Sequence, residues 1–172
     1  QGGMEAINEA LYQLPTAEQI YEPEKYFSGE VYENVIIEDL IVADYNLVKE
    51  GTIGALDIPY ILQDTIGRVA SVKAAIGLGG GAWKDYVNSS QQLMMSLKMT
   101  GDTPEDLEEI YNAYIAWANA QERFTSVESF EGGMLYIGDT NVWISNDSTH
   151  VRMLLTQDLD VFNEITTQIS RF

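Results

Sequence analysis

Beyond Gly132-Gly133 the apolar residues stop recurring every three or four places and begin to alternate, so no one type of secondary structure accounts for the whole chain. Three short runs, 134–137, 142–145 and 150–156, are separated by Gly138-Asp139-Thr140-Asn141 and Asn146-Asp147-Ser148-Thr149, both rich in residues that turn a chain. The pattern predicts a three-stranded β-meander. Upstream the period is helical. Ile58, Leu62, Thr65, Val69, Val72 and Ile76 fall on one stripe and predict a helix over 58–76, with Gly67, Ser71 and Ala74 on its back. Trp83, Tyr86, Val87, Leu93, Met94 and Leu97 predict a second helix over 82–99. Thr103 as a cap, Pro104 in the first turn and the acids Glu105 and Asp106 predict the start of a third, running to about residue 123. Leu107, Ile110, Tyr111, Tyr114 and Trp117 form its apolar stripe.

The two ends add shorter pieces. Met4, Ile7, Leu11 and Leu14 predict an opening helix that Pro15 ends, and Thr16 with Gln19 makes a capping box for one further turn, stopped at Pro23. Residues 30–48 are rich in Val, Ile and Leu and predict one or two strands, followed by a loop over 51–54. Leu159, Phe162, Ile165 and Ile169 share one face of a closing helix. No repeat appears, and the best linker candidate, 125–131, is too short to divide the chain. The expected architecture is therefore a single α+β domain over 1–172, with a central three-helix unit packed on a mostly antiparallel sheet. Within it, 4–54 supplies the first helix and strands, 55–124 the helical region, and 125–172 the meander and final helix. Residues 1–3 read as a cloning scar before a native Met4, or Gln1 as a processed mature end.

Charge then limits the partners. Twenty-seven Asp and Glu oppose nine Lys and Arg in 172 residues, a net charge of −18. Such a polyanion repels nucleic acid phosphate and anionic lipid, and attracts basic proteins. The charge is uneven: residues 1–66 carry −11, 67–98 carry +3 and 99–172 carry −10. Cysteine is absent, which removes disulfides, thiolate metal sites and thiol nucleophiles. No uncharged apolar run reaches the length of a membrane span, so no membrane insertion is expected.

Chemical motifs are sparse. The sequence holds no G-x-S-x-G, S-x-x-K, H-E-x-x-H or Walker phosphate loop, and its one histidine, His150, has no partner motif beside it. Gly77-Leu78-Gly79-Gly80-Gly81-Ala82 matches G-x-G-x-x-G/A, but a helix rather than a strand is expected before it. Gly77, Gly79, Gly80 and Gly81, with Lys73, are thus a ligand loop only by pattern, and a flexible inter-helix loop otherwise. Asp139, Asn141 and Asp147 are the candidate oxygen ligands for a metal; the EF-hand template fails on Trp143, Ile144 and His150. Trp83, Trp117 and Trp143 read as core. Met95 and Met99, on the expected second helix near Lys84, and Arg68 are the candidate partner-binding residues.

These features point to a non-catalytic interaction or assembly protein presenting an acidic surface to a basic protein, as an inhibitor, immunity-like protein, adaptor or virion component. No enzyme activity or cofactor is expected, and a homo-oligomer fits helices that bury more than one side. The competing readings are a small-molecule or Ca2+ binding domain, with or without enzymatic activity, and an exported surface protein. The first reading favours a soluble cytoplasmic or virion protein over an exported one.

Overall fold

The structure, a computed structural model, describes residues 3, 4, 8, 12 and 14–169. The expected opening helix, with Ile7 and Leu11 on its stripe, lies largely outside the described residues. From there the chain forms α1 (Ala17–Tyr21), α2 (Pro23–Ser28), β1 (Asn46–Thr52), α3 (Asp57–Ile66), α4 (Arg68–Ile76), β2 (Leu78–Val87) and β3 (Leu93–Gly101). It continues through α5 (Pro104–Asn119), β4 (Phe124–Phe130), β5 (Gly133–Gly138), β6 (Asn141–Asn146), β7 (Val151–Thr156) and α6 (Asp160–Ile165).

The seven strands of the described residues join one antiparallel sheet in the order β1-β2-β3-β7-β6-β5-β4. The fold is α+β. Because side chains alternate across a strand, the central strands feed two separate cores. On one face Leu97, Met99, Val142, Ile144, Val151 and Met153 pack against α3, α4 and α5 through Ile58, Leu62, Ala75, Ile110, Tyr114 and Trp117. On the other face Tyr86, Met94, Leu135, Trp143 and Leu154 are covered by Val161, Phe162 and Ile165 of α6 and by Ile37, Leu40 and Val42. A T-shaped Phe130–Phe162 pair, with centroids 5.8 Å apart, helps to seat α6. Both edge strands carry a register shift, between Leu47 and Lys49 in β1 and between Phe124 and Ser126 in β4, and such bulges discourage edge-to-edge pairing.

Local signals with local causes hold. Thr16 accepts from the Gln19 N–H and the Gln19 side chain accepts from the Thr16 N–H, completing the capping box. Thr103 accepts from the Asp106 N–H, with Pro104 in the first turn. Pro23, expected as a stop, also opens α2, where its missing N–H costs nothing.

Four expectations are corrected. The helix predicted over 82–99 is instead the β2–β3 hairpin, whose turn is closed by the Asn88 side chain, donating to Gln92 Oε1 and accepting from the Gln92 N–H. Covered largely on both faces, these strands show no alternation, and their apolar residues mimic helical spacing by chance. The helices on the first face are α3, α4 and α5, and α6 lies on the other. Second, the helix over 58–76 is two, broken at Gly67, which adopts φ +84°. Third, residues 30–43 form no strand: the chain runs extended across the sheet as an arm, and only 46–52 pair as β1. Thr52 thus lies in β1 rather than in a loop. Last, α5 ends at Asn119, and most of the expected linker over 125–131 is edge strand β4.

Candidate functional site

The glycine segment explains how the arm is held. Gly77 ends α4, while Gly79, Gly80 and Gly81 lie within β2, so the expected inter-helix loop is corrected to a strand. A Cβ on Gly80 would come within 2.1 Å of the Glu33 carbonyl oxygen, so the arm's backbone crosses directly over this residue. The Glu33 N–H donates to Gly79 O at 2.7 Å, and the Tyr32 hydroxyl accepts from the Gly81 N–H at 2.7 Å. These bonds engage the polar backbone that a phosphate would need, and β3 rather than a helix follows. Lys73 points elsewhere, pairing with Glu109 on α5.

The candidate partner residues are not brought together. Met99 is fully buried and Met95 half-buried, both on the face covered by α3, α4 and α5. That overturns their assignment to an exposed helix side, which followed from the wrong period. Lys84 lies on the opposite face, where Asp39 of the arm and Glu50 of β1 take its ammonium. Arg68 is exposed at the start of α4.

The candidate metal ligands are also separated. Asp139 is in the β5–β6 turn, whereas Asp147 follows the other end of β6. Six strand residues hold them about 20 Å apart. Asn141 uses its amide to close the turn, accepting from Gly138 N–H and donating to Thr156 O. Asp147 accepts from the Thr149 and His150 N–H groups and the Thr149 hydroxyl, and pairs with Arg152. Burial pushes its carboxyl up, but the bonds from Thr149, Arg152 and His150 more than reverse this and hold it well below the usual carboxylate range. His150 is pushed below its ordinary value by burial and by the nearby cations Lys98 and Arg152. Its Nδ1 lies 2.9 Å from the Thr149 hydroxyl, as part of the turn.

A cluster that sequence reasoning missed surrounds Lys25. Its ammonium donates to Glu18 Oε1 at 2.6 Å, to the Ile76 carbonyl at 2.6 Å and to Asp102, with Glu30 at 3.3 Å. One side chain thereby ties α1 to the start of the arm, the C-terminal end of α4 and the turn between β3 and α5. Three carboxylates cannot all stay ionised cheaply around one ammonium. Burial first, then the charges of Asp102 and Glu30, push Glu18 up to about 7 against the pull of Lys25. Lys25 is held above its own usual range because its bonds to Asp102 and Glu18 outweigh burial. Glu18, Glu30 and Asp102 are the one group of metal-type ligand atoms close enough to share an ion among the described residues, and Lys25 already supplies their positive charge.

What remains is the outer surface. Seven of the nine Lys and Arg have partners inside the fold. Lys25, Lys73, Lys84 and Arg152 form ion pairs, Lys98 donates to Ile36 O, Lys49 sits over Trp83, and Arg123 over Trp117 and Phe124. Carboxylates such as Glu24, Glu33, Glu38, Asp64, Glu105, Glu122, Glu128 and Glu131 face solvent. The arm adds apolar side chains to this surface: Val31, Ile36 and Ile41 are 82%, 71% and 81% exposed. No family model matches the chain, and neither the curated proteins nor the solved structures gave a match. Among the described residues, no helix is long and apolar enough to cross a membrane.

Proposed function

We propose that the protein is a non-catalytic interaction or assembly protein that offers an acidic surface to a basic protein partner. The observation that supports it is the charge balance at the surface: Lys25, Lys73, Lys84 and Arg152 are taken up by ion pairs, and with a net charge of −18 the field that an approaching molecule meets is set by the carboxylates. Inhibitor, immunity-like protein, adaptor and virion component all use such a surface, in the cytoplasm or in a particle, and none requires a reactive group. Nucleic acid and anionic lipid are disfavoured as ligands by the same field. In this reading α3, α4 and α5 act as one central unit, and β5, β6 and β7 as a meander, that together hold the acidic face rigid. The test is an unbiased capture from the native host, followed by quantitative binding of whatever is captured. Basic proteins retained near 50 mM salt and released by about 500 mM salt are expected. Affinity that is indifferent to ionic strength, or a captured set that is not basic, would refute the reading.

A further inference from the structure

We infer that the outer side of the arm, residues 30–44, is a preformed docking surface for a basic protein segment that carries apolar side chains. The inference rests on the acidic-surface reading and names the place where the partner sits.

Single exposed apolar residues are common on protein surfaces, but here they are concentrated and held in place. Val35, Ile37, Leu40 and Val42 point inward and are buried, while Val31, Ile36 and Ile41 point out. Leu14, Ile20 and Phe27, just before the arm, are also largely exposed. A groove of about 470 Å3, lined by Leu14, Gln19, Tyr26, Val31 and Tyr32 among others, opens beside the first of the outward residues. Exposed Glu33 and Glu38 stand between the apolar positions.

The arm has no strand pairing, yet its backbone is fixed at intervals. Besides the Glu33 and Tyr32 bonds, the Leu40 N–H donates to the Tyr86 hydroxyl at 3.1 Å. Gln168 both accepts from the Ile41 N–H and donates to its carbonyl, and Glu164 accepts from the Ala43 N–H. The outward side chains are thus presented on an ordered backbone, which reduces what a partner loses in conformational entropy on binding.

Charge selects the occupant. Residues 1–66 carry a net −11, and the cations that the fold brings to the arm are engaged by it, Lys84 by Asp39 with Glu50 of β1, and Lys98 by the Ile36 carbonyl. A second copy would bring another −18 against the same field, so an isologous contact through this surface is disfavoured. A segment with Lys or Arg between apolar residues satisfies both halves of the pattern.

The full chain, isotopically labelled, is titrated at low salt with three peptides. One is an amphipathic helix-former of Lys and Leu, one is oligolysine of the same charge, and one replaces Lys by Glu in the first. The Lys/Leu peptide is expected to bind, with amide shifts concentrated in residues 30–44, and the Glu/Leu peptide not to bind. Val31→Ser, Ile36→Ser and Ile41→Ser together should weaken the Lys/Leu peptide about tenfold or more and leave oligolysine unchanged. Glu33→Gln with Glu38→Gln should weaken both cationic peptides. These side chains are exposed, so circular dichroism and melting of both variants should match the parent. A triple variant that binds the Lys/Leu peptide as tightly as the parent, shifts that map away from the arm, or self-association through the arm would overturn the docking site. Salt-sensitive oligolysine binding in that event would leave the acidic-surface reading standing. Failure of every cationic peptide to bind would overturn both.

Discussion

Glu18 is the residue whose chemistry the fold alters most usefully. An ordinary glutamate titrates near 4.5, whereas Glu18, buried against Asp102, Glu30 and Lys25, is pushed up to about 7. A raised carboxyl means that the folded state holds a proton which the unfolded state has released. The associated stabilisation is complete below about 4.5 and is lost as pH rises through about 7. Glu18→Gln, which cannot ionise, should remove this dependence. Urea unfolding between pH 5 and 8 should show the parent losing stability relative to Glu18→Gln across that window. A constant difference between the two would mean that Glu18 is ionised throughout, with Lys25 neutralising it. None of this chemistry was legible in the sequence: residues 18, 25, 30 and 102 meet only because α1, α2 and the β3–α5 turn converge. No local pattern marks a lysine that will be enclosed by three acids.

At the scale of elements, the decisive contact is the crossing of the arm over β2. Gly80 has no room for a Cβ, and the obstacle is the Glu33 backbone rather than the end of a flexible side chain. Gly80→Ala should therefore lift the arm and cost about 1–3 kcal/mol, read as a lower urea midpoint. Faster hydrogen exchange at Leu40 and Ile41, whose N–H groups depend on Tyr86 and Gln168, should accompany it. An arm that stays protected in Gly80→Ala would show that its attachment does not depend on close approach. The same contact explains which elements the sequence disclosed. Helix starts at Thr16 and Thr103, and the turns around Gly138 and Asn146, are written in adjacent residues and were readable. The β2–β3 hairpin was not, because strands covered on both faces lose the alternation that identifies them. The arm's Val, Ile and Leu content suggests a strand, but its order comes from partners as distant as Gln168. Of the glycines that resemble a nucleotide fingerprint, Gly80 marks the close backbone crossing, while Gly77 abuts the Asp106 side chain, and Met95 and Met99 lie in strand β3 on the face covered by α3, α4 and α5.

For the molecule as a whole, two electrostatic effects oppose each other, and their balance can be measured. A net −18 repels itself, so screening should stabilise the fold; ion pairs attract, so screening should weaken them. Exposed pairs such as Lys73–Glu109 are worth about 0–1 kcal/mol each, and the Lys25 cluster is mostly shielded from solvent and hence from salt. Repulsion summed over the surface should win. The melting temperature at pH 7.5 should rise by about 2–8 °C between about 20 and 500 mM NaCl, as expected for a gain of about 1–2 kcal/mol in a chain of this size. Near the isoelectric point of about 4.1 the net charge vanishes, and with it the increment should disappear. An equal increment at both pH values would assign the effect to general salting-out instead of charge. A partner that brings cations to the acidic face should reproduce the gain at low salt, because binding relieves the same repulsion that the ions screen.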